Sequence, residues 1–94
     1  HRLILVTPYD GRTANDPSSI PVKMRQYELE LAKKYDFVYV ADWYQVAINN
    51  PQIWIGTDYV HYGADSESMA EGGKLYSNML KEALAAASSG SVKP

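Results

Sequence analysis

The sequence contains no cysteine and only two histidines, one of which is the first residue. Without cysteine there is no disulfide framework, no thiolate metal site and no cysteine nucleophile, while the compartment stays open between reducing cytoplasm and a bacterial exterior. Charge of one sign is also lacking: 9 Lys and Arg stand against 11 Asp and Glu, for a formal net charge of -2. The basic residues are scattered, with only Lys33 and Lys34 adjacent. Such patterning fits neither a nucleic-acid partner nor a disordered acidic solubiliser. No apolar run approaches the ~20 residues of a membrane helix. The first residues carry no signal-peptide pattern, so any targeting segment is expected elsewhere. A metal site lacks its ligand set, because the single internal histidine has no converging pair of carboxylates, and no cofactor is expected.

What remains is a chain of 94 residues, 46% of them hydrophobic, enough for one modest soluble core and too short for two domains. Any imidazole chemistry must use His61 once the terminal histidine is set aside.

Arg2 to Thr7 is a short continuous apolar run stopped by the turn residues Pro8-Tyr9-Asp10-Gly11. A run without alternation suits a strand covered on both faces, as in parallel sheets. Gly11 to Pro21 reads as loop, and Pro21 suits the first turn of a helix, where its missing N–H is not needed. From Val22 the residues Met24, Tyr27, Leu31 and Tyr35 repeat at helical spacing, and Lys33 and Lys34 complement the dipole in the last turn. Phe37 to Ala41 is a second strand of the buried type. Strand, helix, strand makes a βαβ unit with parallel strands and a right-handed crossover.

Asp42 is placed to cap a short helix through Trp43, Val46 and Ala47 that ends at Asn49-Asn50-Pro51, and Ile53-Trp54-Ile55 reads as a brief extended piece. Ser68 and Glu71 form a capping-box signature for the last helix, whose apolar stripe is Tyr76, Met79, Leu80, Ala83, Leu84 and Ala87. Ser88 to Pro94 is polar and contains glycine. The domain part is therefore set at residues 1–88, with 89–94 as a flexible tail. Two parallel strands do not make a finished sheet, since both outer edges stay open. The expected fold class is α/β: the C-terminal part of a flavodoxin-like, doubly wound three-layer α/β/α domain with a parallel sheet, whose N-terminal strands lie outside this chain.

Gly56-Thr57-Asp58-Tyr59-Val60-His61-Tyr62-Gly63 precedes the final helix, and in open α/β sheets ligands bind beyond the carboxyl ends of the strands. A carboxylate three residues before an imidazole can curl back to accept a hydrogen bond from Nδ1–H. Nε2 is then left to take a proton from a nucleophile. Two readings of Asp58 and His61 stand side by side, a surface pair on a loop and a catalytic pair.

The stretch Gly56 to His61, with Val40-Ala41-Asp42-Trp43 upstream and Gly72-Gly73-Lys74-Leu75-Tyr76 downstream, resembles the closing section of the SGNH (GDSL-type) hydrolase family. Within that family the resemblance is to the extracellular catalytic domain of bacterial peptidoglycan O-acetyltransferases, from about Leu3 to Leu84. It implies that Asp58 and His61 match the closing Asp-x-x-His block and serve as acid and base of a Ser-His-Asp triad. The implied activity is acetyl transfer to the C6 hydroxyl of N-acetylmuramic acid in peptidoglycan. The implied partners are the glycan, an acetyl donor and the N-terminal half of the same domain, and the implied location is the extracellular face of a Gram-positive membrane, in a membrane-anchored protein.

The family's Gly-Asp-Ser nucleophile block and its oxyanion-hole glycine and asparagine blocks have no counterpart here, and none of the eight serines follows Gly-Asp. Alone, the chain is expected to be inactive. Tyr62 stands where many relatives have proline, so the loop carrying His61 is expected to differ in shape. An SGNH esterase or deacetylase with water as acceptor, and a non-catalytic flavodoxin-like interaction fragment, remain alternative readings. Tyr59 and Tyr62 flank the motif and, with Trp43 and Trp54, are candidates for contact with substrate, the tryptophans and Tyr44 as a stacking surface for a sugar against plain packing. Asp42 stands between substrate contact and helix cap, and Arg12 and Asn15 read as solvated.

Overall fold

The computed structural model describes residues 1–89. Its elements are β1 (Leu3–Val6), α1 (Ile20–Lys34), β2 (Val38–Ala41), α2 (Trp43–Asn49), a 3-10 helix (Pro51–Ile53) and α3 (Ser66–Ser89). β1 and β2 pair in parallel, in a register that sets Leu3 against Val38 and Val6 against Ala41. This is the expected βαβ unit. Successive strand residues point to opposite faces, and Val38 and Tyr39 are both buried, so β2 is covered on both sides. The helices that contact it are α1 and α3. Among the described residues the sheet has these two strands alone, which leaves the outer edge of β1 unpaired.

The core lies between the sheet and α3. Ala41, Trp43, Ala47, Ile53, Trp54, Met79 and Ala83 form one buried cluster, with Ile4, Val6, Tyr62 and Tyr76 packed around it. α3 presents Met79, Ala83 and Ala87 to this core, as its stripe predicts, whereas Leu84 is exposed.

Several local expectations are corrected. α1 starts at Ile20 with Pro21 in its first turn, and its apolar stripe does not face the sheet. Met24 and Tyr27 are exposed, as is Ile20 at 73%, whereas Glu28 on the inward side is 8% exposed. Ile53-Trp54-Ile55 is not extended: the N–H groups of Ile53 and Trp54 bond the carbonyls of Asn50 and Pro51, a tight turn that Pro51 starts well because its φ is preset. α3 begins two residues before Ser68, and its cap is Asp65, whose Oδ1 accepts the Ser68 N–H at 2.7 Å. Glu71 instead accepts a bond from Gln52 at 3.3 Å. α3 also runs through Ser88 and Ser89; the rest of the expected tail lies outside the described residues.

Candidate active site

The loop between the 3-10 helix and α3 is tied down along its length before it presents any chemistry. At its start the Thr57 hydroxyl donates to the Trp54 carbonyl at 2.6 Å and accepts the Tyr59 N–H at 3.0 Å. In its middle the Tyr59 carbonyl accepts the Gly11 N–H at 2.8 Å, and at its end the Gly63 N–H bonds the Ile53 carbonyl at 3.0 Å. Tyr59 takes a left-handed backbone, φ 64°, a conformation that costs a residue with a Cβ about 1–2 kcal/mol. The turn places Asp58 below two donors. Asp58 Oδ1 accepts the Val60 N–H at 2.9 Å and the His61 N–H at 2.8 Å.

Asp58 Oδ2 is then 3.0 Å from His61 Nδ1. Because a carboxylate only accepts, this pairing selects the tautomer with the proton on Nδ1 and leaves Nε2 open as a base. The bonds from the His61 backbone, its ring and the Val60 backbone hold the Asp58 carboxyl far below its ordinary range. The carboxylate is therefore charged at neutral pH. The side chains of His61 and Asp58 are 84% and 59% exposed. Among the described residues nothing completes the pair, since none of their serines is bonded to His61.

The other four candidates separate. Tyr59 is half-exposed on the same turn, beside the pair. Trp43 and Trp54 do not offer a stacking face: Trp54 is 2% exposed and its indole N–H donates to the Ala47 carbonyl at 3.2 Å. Tyr62 turns inward as well. Its ring meets those of Trp43 and Trp54 at 5.8 and 6.3 Å between centroids, and it lies so close to α3 that a Cβ on Gly72 would come within 2.5 Å of it. Tyr62 is thus a core anchor for the loop that carries His61.

Asp42 stands at the N-cap position of α2, and its carboxylate is held mainly by partners outside that helix. It receives a bidentate fork from Arg25, Nε at 3.0 Å and Nη2 at 2.7 Å, and the Thr7 hydroxyl at 2.8 Å. Burial opposes its charge, but the bonds from Arg25 and Thr7 outweigh that and keep it below its ordinary range. Thr7, 1% exposed, supplies the helix cap, accepting the Tyr44 N–H at 2.9 Å. The sequence reading passed over Thr7, Arg25 and Gly11. The available signal was a polar residue directly after each strand, Thr7 and Asp42, which parallel register brings side by side. Arg12 is exposed as expected, but it is ion-paired with Asp10 at 2.8 Å.

No protein-family model matches the chain, and no curated protein does. Among solved structures, the chain is similar to the C-terminal catalytic domain of peptidoglycan O-acetyltransferase A (OatA) of Streptococcus pneumoniae, determined with a methylsulfonyl adduct. The two are 43% identical with a TM-score of 0.87, over 95% of this chain and 50% of that one. The chain thus spans about half the length of its relative. It is an α/β structural relative of a peptidoglycan O-acetyltransferase catalytic domain, and matches one half of it.

Proposed function

We propose that this chain carries the acid and base of a Ser-His-Asp triad that transfers an acetyl group to the C6 hydroxyl of N-acetylmuramic acid in peptidoglycan. The observation that carries this reading is the 3.0 Å pairing of Asp58 with His61 Nδ1, in a chain 43% identical to a peptidoglycan O-acetyltransferase domain. The nucleophilic serine and the oxyanion hole belong to the other half of the domain.

In the first half-reaction His61 Nε2 takes the serine proton as the hydroxyl attacks the donor's acyl carbon. Asp58 stabilises the imidazolium that forms. The same proton then passes to the departing donor oxygen, leaving an acetyl-serine. In the second half, His61 takes the proton of the glycan hydroxyl as it attacks the acetyl carbon, and returns it to the serine oxygen. Asp58 is anchored by two backbone N–H groups and remains charged through both halves.

The partner half of the domain has a surface to fill. β1 has an open edge, and α1 exposes Ile20, Met24 and Tyr27. Glu28 Oε2 is buried and has no hydrogen-bond partner among the described residues. An additional parallel strand on β1, with the rest of that half laid over α1, would satisfy all three. The location that fits this substrate is the outer face of a Gram-positive membrane, with the chain part of a membrane-anchored protein. Among the described residues no helix is long and apolar enough to cross a membrane. Residues 1–88 are assigned to the catalytic domain.

The test uses the intact domain, an acetyl ester donor and muramoyl glycan. Acetyl recovered on the glycan C6 oxygen, and lost with His61→Ala, is the expected result. Release of free acetate alone, with no acetylated glycan, would overturn the transferase in favour of an esterase.

A further inference from the structure

The network at the ends of the two strands does not touch Asp58 or His61, yet it holds the segment against which their loop rests. Loop residues 7–15 are clamped twice. At one end Thr7 is locked to Asp42, which Arg25 grips with both nitrogens of a rigid fork. At the other end the Tyr44 hydroxyl donates to the Ala14 carbonyl at 2.7 Å. The two clamps are joined, because the Arg25 guanidinium lies 4.8 Å from the centre of the Tyr44 ring, and the Tyr44 N–H bonds Thr7. Between them the loop offers the Gly11 N–H to the Tyr59 carbonyl. Tyr59 is the left-handed residue between Asp58 and His61, so its position sets the distance across the pair. The approach is close: a Cβ on Gly11 would lie 2.9 Å from Tyr59 Cβ and 3.1 Å from its carbonyl oxygen.

We propose that Arg25, Asp42 and Thr7 are positioning residues for His61, acting through the Gly11–Tyr59 hydrogen bond. This rests on the reading of Asp58 and His61 as base and orienting acid. Misplacing a reacting group by about 1 Å costs up to about 100-fold in rate, and the network sits two hydrogen-bonded links from the imidazole. Its loss should therefore lower kcat about tenfold while leaving donor KM within about twofold.

The experiment compares Asp42→Asn, Thr7→Val, Thr7→Ser and Gly11→Ala in the intact domain. Each is read by kcat, by KM and by the NMR signal of His61 Nδ1–H. Expected are a lowered kcat and a shifted or broadened His61 signal in Asp42→Asn, Thr7→Val and Gly11→Ala, with Thr7→Ser restoring both because it keeps the hydroxyl. Gly11→Ala pushes on Tyr59 directly and tests only the last link, so the network itself is decided by Asp42→Asn and Thr7→Val against Thr7→Ser. A wild-type kcat and an unmoved His61 signal in Asp42→Asn and Thr7→Val would overturn the proposal, whatever Gly11→Ala does. So would a lowered kcat with an unmoved signal. Failure of the catalytic reading is seen separately: His61→Ala would then keep full turnover, while the NMR arm still decides whether the network reaches His61.

Discussion

The turn from Asp58 to His61 and the aromatic cluster around Trp54 are a few residues apart in the chain and are held by different forces. The turn is exposed, and every bond that shapes it is a hydrogen bond to a carboxylate, a hydroxyl or a backbone group. The cluster is held by ring packing, with Trp43, Trp54, Tyr62 and Tyr76 meeting at 4.9 to 6.3 Å between ring centres. His61 and Tyr62, adjacent in sequence, fall on opposite sides of this division. Burying an aromatic side chain stabilises a fold by a few kcal/mol, whereas an exposed charge pair contributes little. The region that stabilises the fold and the region that carries chemistry should therefore respond to substitution in different measurements.

The largest contrast comes from His61→Ala against Trp54→Ala in the intact domain. The first is expected to lower turnover about 10³-fold or more and to leave the melting temperature nearly unchanged. The second is expected to cost about 3–5 kcal/mol of stability in a denaturant titration. A large loss of stability from His61→Ala would erase the distinction. A smaller contrast sharpens the role of Tyr62. Gly72→Ala forces a Cβ to 2.5 Å from the Tyr62 ring, while Gly73→Ala meets only its hydroxyl at 3.8 Å. Overpacking predicts a loss of about 1–3 kcal/mol for the first. Removing a helical glycine predicts a gain of up to about 1 kcal/mol for the second. Thermal melts of the pair decide it.

The smallest expected effect is in pH. Asp58 is held below its ordinary value of 3.8 by its three donors. A group whose folded pKa is depressed adds stability that is fully present above its unfolded value and is lost as pH falls through the folded one. Its contribution should thus be constant from neutral pH down to about 4 and fade only below that. Carboxyl chemical shifts of Asp58 against pH check this, and a midpoint at or above 3.8 would contradict the bonding described above.

Sequence made some of this visible and hid the rest for physical reasons. The βαβ unit and the α3 stripe were legible because burial imposes a period on apolar residues. The Asp58–His61 pair was legible because both partners lie in one turn, so spacing alone sets their reach. Trp43 and Trp54 stayed undecided between sugar face and core because an aromatic ring suits both equally well, and only tertiary packing separates the two. The helix α1 was legible but the direction its stripe faces was not, because periodicity reports an apolar face without saying what covers it. The Thr7–Asp42–Arg25 network spans separations of 35 and 17 residues, and no local pattern announces such a contact.

The central claim, that Asp58 orients His61 as the base of an acyl transfer, is tested most directly by Asp58→Asn in the intact domain, read as kcat and KM for an acetyl ester. The amide keeps the size of the carboxylate but favours the wrong imidazole tautomer, so kcat should fall by about 10³–10⁴ with KM little changed. Turnover within a few-fold of wild type would contradict it.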